Sequence, residues 1–412
     1  MKNFVQYGAG NIGRGFIGAL FSQAGYLVKF IDIDKQIINA LNERKSYIVE
    51  IVSDNGSKET VINNVCGVDG FDKEAVTDAI ANADIMATSV GVNVLPRILL
   101  NIAEGLKRRW QSGNFSPFNI LICENLLDAD KFMHQAISEN LNDKEKEYFE
   151  NCVGLIETSI GRMVPVMTEE MKKGDCLRVC VEKYCQLPVD KAAFKGDIPK
   201  INNIYPFTPF GYFIRRKLFI HNMGHAFCAY LGNILGCEYI WQAMDNPAVK
   251  LLALRAMTES AKTLSKHYNM PLDDLLLHID DLLERFANKA LGDTVQRVGR
   301  DLKRKLSASD RLAGAAKMCE EEGIEPVYIC AGIACALLFD LEGDEGTKYV
   351  RDMISKEGID YFLTEFCGFK EDSSKNYVKE CYELMKKEAN LYKLLAKCED
   401  INGKILDKKN II

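Results

Sequence analysis

No stretch of the 412 residues approaches the ~18 consecutive apolar residues that a membrane-spanning helix needs. The most apolar candidate, VYICAGIACALLF at 327–339, is too short for that and reads as a core helix. Positive charge is not in excess. Lys and Arg number 52 against 58 Asp and Glu, leaving a net charge of −6. That balance argues against nucleic acid as the main partner, although a local basic patch can still hold a phosphate. There is no CxxC pair among the 14 cysteines. The densest group, Cys176, Cys180 and Cys185, falls in a strand-like stretch where thiols serve as small apolar groups, so no metal is expected. Dispersed free thiols, and a start (MKNFVQYGAG) that enters a strand at once without a leader, are expected of a cytoplasmic protein. No repeat or low-complexity segment is evident. Histidine is scarce, at five, yet two fall within KLFIHNMGH at 217–225.

What is present begins with size and ordinary composition. Apolar residues make up 47% and charged residues 27%, as in a soluble globular protein. The length suits two or three domains of roughly 150 residues. KNFVQY at 2–7 reads as a strand, followed by Gly8, Gly10 and Gly13 in GxGxxG spacing, then a helix to about Ala24. LVKFIDID forms the next strand and carries Asp32, 19 residues after Gly13. Each part has a physical task in dinucleotide binding. Gly8 permits the tight turn, Gly10 lets backbone approach a pyrophosphate, and Gly13 permits close packing of the helix on the strand. The helix N-terminus, at Asn11 and Ile12, offers N–H groups to phosphate. Asp32 can bond both ribose hydroxyls of NAD and would repel the extra phosphate of NADP. Arg14 either lies against the pyrophosphate or is a surface charge.

The strand–helix alternation continues with one interruption. Residues 47–65 alternate at period two around Asn55-Gly56, a hairpin signal that predicts an antiparallel excursion within a parallel sheet. A helix (DKEAVTDAIANA) and a strand at 84–90 follow, with Gly91 at the strand's carboxyl end, where cofactors bind in open α/β sheets. Another helix leads to FNILICEN at 118–125, which aims Asn125 at the same crevice, although an asparagine at a strand end is often just a turn or cap residue. Segments 152–158 and 175–188 read as strands that extend the sheet. Pro, Gly and Asn crowd 189–210, which places a boundary there: 1–200 a Rossmann-type, doubly wound NAD-binding domain, 201–412 a mostly helical substrate and catalytic domain.

In that second half, apolar spacings of three and four mark helices over 212–235, 247–268, 272–286, 308–320, 327–340 and 375–397. The active site is expected in the cleft between the domains. At about 100° per residue, Lys217, His221, His225 and Asn222 fall near 0°, ~40°, ~80° and ~140°, on one broad helical face. Oxidation of a secondary alcohol by NAD needs a base for the hydroxyl proton and donors for the alkoxide or carbonyl oxygen. A buried lysine suits the first role and an asparagine amide the second. The plainer alternative is a helix with a snorkelling lysine and satisfied core histidines.

GAGNIGRGFIG, the CEN of 123–125, RKLFIHNMGHAFCAYLG at 216–232 and RVGRDLKRKLSASDRL at 297–312 together resemble the polyol-specific long-chain dehydrogenases, the mannitol dehydrogenase family, over most of the chain. The Lys-x4-Asn-x2-His signature is specific to it, and the early glycine motif is similar to that of its mannitol-phosphate members. The resemblance implies Lys217 as general base, Asn222 and Asn125 as the oxyanion pair, His225 orienting the reacting oxygen, and Arg297 contacting substrate. It implies metal-independent, NAD-dependent oxidation of mannitol 1-phosphate at C5 to fructose 6-phosphate, reversibly, by a monomer or weak homo-oligomer. One departure is Gly161, in ETSIGRMVP, where the family usually has aspartate; a second is Lys289, in FANKA, at the position of its usual proline. The basic cluster 297–305 offers candidates for the substrate phosphate, Arg297 and Arg300 first, the alternative being a solvated helix face, the more common fate of a charge run. Two other readings stay open: a sugar-alcohol dehydrogenase or hexuronate reductase acting on an unphosphorylated substrate, and an NAD-binding regulator with a degenerate site.

Overall fold

The structure, a computed structural model, describes residues 1–409 except Asn55 and Val166. The chain divides into two compact units, 1–213 and 214–412.

The first unit is built on a six-stranded sheet of β1 (Asn3–Tyr7), β2 (Leu27–Asp32), β5 (Val65–Asp69), β6 (Ile85–Thr88), β7 (Phe118–Ile122) and β8 (Val153–Glu157). Their spatial order is β5-β2-β1-β6-β7-β8, and every neighbouring pair is parallel. The order reverses direction between β1 and β6, so the carboxyl ends of these two strands flank the switch point at which such sheets bind ligands. Period-two alternation sends neighbouring residues of β1 to opposite faces. Phe4 joins Phe16, Phe21, Val28 and Phe30 in one core cluster, while Val5 joins Ile98, Ile102 and Phe118 in the other. Phe4 stacks on Phe21 with ring centroids 3.7 Å apart. On the second face, helix Leu95–Gln111 buries Leu95, Ile98, Leu99, Ile102 and Leu106, an i, i+3, i+4 stripe.

The hairpin stands apart from this sheet. β3 (Tyr47–Ser53) and β4 (Gly56–Ile62) pair antiparallel from Ser53↔Gly56 outward; Asn55 of the expected turn lies outside the described residues. β9 (Val179–Val181) joins β3 in parallel, giving a three-stranded sheet β4-β3-β9. Segment 175–188 therefore does not extend the main sheet as its alternation suggests. Its partner is chosen by charge as well as apolar pattern: Arg178 Nη1 lies 2.7 Å from Glu50 Oε2 and 2.6 Å from Glu59 Oε1, with Arg178 and Glu50 both buried. β10 (Leu187–Asp190) and β11 (Ile204–Phe207) form a separate parallel pair.

The second unit is helical. Helices Pro247–Tyr268, Leu272–Phe286 and Val327–Ala336 match their apolar spacings. Asn246 caps the first, accepting from Ala248 N and Val249 N, with Pro247 at its first turn. Helix Val327–Ala336 is buried along its whole length and has no cap from its own chain neighbourhood. Buried Glu259, on helix Pro247–Tyr268, supplies one by accepting from Tyr328 N at 2.9 Å and Ile329 N at 3.0 Å. The segment expected as one helix over 375–397 is two, Asp372–Glu388 and Leu391–Lys409, broken where Ala389 adopts φ 48°. Among the described residues, no helix is long and apolar enough to cross a membrane.

Candidate active site

At the end of β1 the chain turns through Gly8, whose φ of 99° suits glycine. A side chain on Gly13 would collide with the Gly8 carbonyl oxygen, so the third glycine of the motif closes the turn on itself. Gly10 is different: a Cβ there would meet nothing within 4 Å, leaving its backbone approachable. Asn11 and Ile12 begin the helix, which passes through a π-helical segment, Gly13–Gly18, before resuming as α. Asp32 ends β2 and faces this turn. Its Oδ2 accepts from Ala9 N at 2.6 Å and its Oδ1 from Asp34 N at 3.0 Å. Arg14 is neither a surface charge nor solvent-facing. It is buried, Nη1 donates to the Ala9 carbonyl, and burial holds its pKa below the usual guanidinium value. The Ala9 peptide is thus gripped at its N–H by a carboxylate and at its C=O by a guanidinium. Around it lies an open pocket of about 340 Å³, lined by Gly10, Asn11, Arg14, Asp32, Asp34 and Lys172 among others. The open side of Gly10 and the helix N–H groups fit a pyrophosphate, and Asp32 fits a ribose.

Across the switch point, β7 ends at Ile122, three residues short of Asn125, which is exposed. Glu124, quoted in the CEN motif without a role of its own, is the side chain that shapes this edge. It accepts from Val90 N and Gly91 N, both at 2.8 Å, one on each oxygen, and so fixes the loop after β6. Gly91 sits there with φ 87°.

In the second unit, Lys217 opens a π-helical segment, Lys217–Asn222, between helices Gly211–Arg216 and Met223–Ile234. The i→i+5 bonding of a π segment brings residue 222 about one turn above residue 217. The wider turn therefore sets Asn222 nearer to Lys217 in angle than the ~140° of an ideal α-helix. Lys217, Asn222 and His225 are half-buried, and His221 is buried. His225 stacks on Phe286, centroids 4.9 Å apart and planes 8° from parallel. Burial, then Arg297, Lys305 and neighbouring arginines, pushes its pKa down to about 3. His221 is pushed well below its ordinary value by burial, then by Arg285, His225, His278 and Lys217. His278, too, is pushed well below its ordinary value, by burial and then by Arg216 and Arg285.

His225 Nε2 lies 3.2 Å from Asp293 Oδ2, and Asp293 Oδ1 pairs with Arg297 Nη2. Arg297 is 41% exposed at its side chain, and Arg300 is exposed. The rest of the basic cluster divides. Lys305 is buried and donates to the Val298 and Arg300 carbonyls, with its pKa brought down to about 7 by burial and then Arg311. Arg304 pairs with Asp301 at 2.6 Å, and Lys303 lies over the Tyr349 ring at 4.0 Å. Asp293 and Glu124 were not singled out from sequence. An Asp four residues before Arg297 was the one available signal for the first; a carboxylate closing a loop over 33 residues away in sequence left none for the second. Gly161 faces an aromatic ring, since a Cβ there would come within 3.2 Å of Tyr184 Cε1. Among the described residues, no group of three or more His, Cys, Asp or Glu side chains could hold a metal ion.

A parallel sheet that reverses order beside a glycine turn and an acid defines the doubly wound, dinucleotide-binding class of α/β domain. Residues 2–203 match the mannitol dehydrogenase Rossmann domain and residues 210–399 the mannitol dehydrogenase C-terminal domain, and the chain belongs to the mannitol dehydrogenase family. It is 36% identical over 371 residues to a mannitol-1-phosphate 5-dehydrogenase of Bacillus licheniformis, covering 90% of this chain and 96% of that protein. It is 38% identical over 365 residues to a mannitol-1-phosphate 5-dehydrogenase of Shouchella clausii, covering 88% and 94%. A solved Pseudomonas fluorescens mannitol 2-dehydrogenase, in ternary complex with NAD and D-mannitol, shares the fold with a TM-score of 0.72 at 15% identity, over 98% of this chain and 94% of that one.

Proposed function

We propose that this protein catalyses the NAD-dependent, reversible oxidation of mannitol 1-phosphate at C5 to fructose 6-phosphate. The observation that carries this reading is the 36% identity, spread over nine-tenths of the chain, to a mannitol-1-phosphate 5-dehydrogenase. Unit by unit, Gly8, Gly10, Asn11, Ile12, Gly13, Asp32 and Gly91 form the cofactor site, and the helical unit carries the chemistry. Bound NAD supplies the hydride acceptor. Lys217 takes the hydroxyl proton as general base. The amide of Asn222 donates to the oxygen as it becomes carbonyl, with Asn125 as the second amide. Arg300, exposed and without an ion pair among the described residues, and the outward face of Arg297 serve the substrate phosphate. The protein works in the cytoplasm as a monomer or weak homo-oligomer; its 14 cysteines are all free, as a reducing compartment would keep them.

The test is NADH oxidation with fructose 6-phosphate, run beside fructose, fructuronate and tagaturonate. Selective turnover of fructose 6-phosphate is expected. Turnover of an unphosphorylated substrate instead would sink the phosphate assignment and move attention to Gly161 and Tyr184, whose packing departs from the acidic residue usual at that place. NADH binding without turnover of any substrate would favour a regulator.

A further inference from the structure

Asp293 has no part in the reading above, yet it lies between Arg297, which serves the substrate phosphate there, and His225, which the family resemblance makes the group that orients the reacting oxygen. It follows Gly292, whose φ of 59° turns the chain, and precedes Thr294, which caps helix Val295–Gly299. Its own carbonyl accepts from Ile240 N at 2.9 Å, so the backbone is held on both sides. The side chain is only 10% exposed and its two oxygens are divided: Oδ1 to Arg297 Nη2, Oδ2 to His225 Nε2.

The Asp293 carboxylate, 3.2 Å from Nε2, repels a lone pair on that nitrogen and so favours a hydrogen there. The Phe286 stack fixes the plane of that imidazole. Arg297 holds the other oxygen and leaves Asp293 no freedom to turn away. We propose that Asp293 is a positioning residue that locks His225 as the Nε2–H tautomer, leaving Nδ1 as a bare acceptor for a substrate hydroxyl. This rests on the dehydrogenase reading of the site and deepens it. His225 then does not donate to the reacting oxygen. It accepts from a hydroxyl, and the single proton on the alcohol oxygen remains available to Lys217. Donation to the carbonyl falls to the amides. The substrate class selected is a polyol whose hydroxyl reaches Nδ1, and a deoxy analogue at that carbon leaves the acceptor unpaired.

The experiment is a long-range ¹H–¹⁵N spectrum of ¹⁵N-histidine-labelled protein without substrate, with His225→Gln assigning the His225 signals among the five histidines. The expected result is a protonated Nε2 and an unprotonated Nδ1 in the wild type, lost or mixed in Asp293→Asn while the His221 signals stay in place. In kinetics, Asp293→Asn is expected to lower kcat/KM roughly 10-fold or more with NADH affinity retained. Combining it with His225→Gln is expected to cost little beyond His225→Gln alone, since the two act through one imidazole. A proton on Nδ1 in the wild type, a tautomer unmoved by Asp293→Asn, or additive kinetic losses would each overturn the proposal. The spectrum needs no turnover, so it fails or stands independently of the substrate assignment.

Discussion

Protonation of histidine is controlled closely in the helical unit. His221 and His225 are kept neutral by burial and by the arginines around them, His225 down to about 3. Their folded pKa values lie below the ordinary value near 6.5. The unfolded chain therefore binds more protons as pH falls through about 6.5, and stability drops on the acid side. Each such histidine contributes up to about 1.4 kcal/mol per pH unit below that point and nothing above it. Urea unfolding at about pH 7 and about pH 5 should show a marked fall in midpoint, smaller in His221→Gln. An unchanged slope in that variant would mean that His221 is charged in the folded protein. At the neighbouring position, Lys217→Ala should lower turnover by about 10²–10⁴-fold while leaving NADH binding in place, as befits a general base; near-normal turnover would remove lysine from that role. At this scale the sequence was informative where a residue type is rare. Lys217, Asn222 and His225 stood out because polar groups interrupt an apolar helix. Asp293 and Glu124 did not, because their partners are set by the folded chain and their letters, in GDT and CEN, look like ordinary turn residues.

Among elements, the glycine turn is the least tolerant. Gly13→Ala should abolish NADH binding, because a methyl there meets the Gly8 carbonyl and must displace the loop; fluorescence titration measures it, and retained affinity would show the loop to be more pliant than its geometry. Glu259→Gln should destabilise the helical unit by about 1–3 kcal/mol, since an amide offers only one acceptor oxygen to two buried N–H groups at the start of helix Val327–Ala336. Equal unfolding midpoints for the two proteins would deny the cap its importance. Strands β1, β2, β6 and β7 and most long helices follow their periodicity closely. The misses have specific causes. β5 is short and follows the hairpin without a clear break, so the alternating run of 47–65 absorbs Val65 and leaves the rest of the strand unassigned. The break at Ala389 has no glycine to announce it. The π segments Gly13–Gly18 and Lys217–Asn222, like a third at Phe362–Phe366, are invisible to a fixed 100° periodicity, and that is why the ~140° separation overstates the angle between Lys217 and Asn222.

For the whole molecule, assignment of the cofactor to the first unit has a thermodynamic consequence. A ligand that binds only the folded form stabilises it by about 2.7 kcal/mol at a hundred times its Kd. NADH should therefore raise the unfolding transition of the first unit and leave a separate transition of the helical unit in place, measured by urea unfolding with domain-specific probes; equal shifts in both would mean that the units unfold together. The two-part architecture was legible from the change of periodicity near residue 210, whereas the pairing inside the first unit was not. β3 finds its parallel partner at Val49↔Val179, 130 residues further along. Until the ribosome has delivered that segment, β3 is the outer strand of a bare hairpin, and Glu50 is a carboxylate awaiting its arginine. For most of the synthesis of its first unit, the nascent chain carries an open β-edge that other chains can pair with. A premature stop between residues 62 and 179 would leave that edge permanently unsealed, so truncated products of this protein should be far more prone to aggregate than their share of the length suggests.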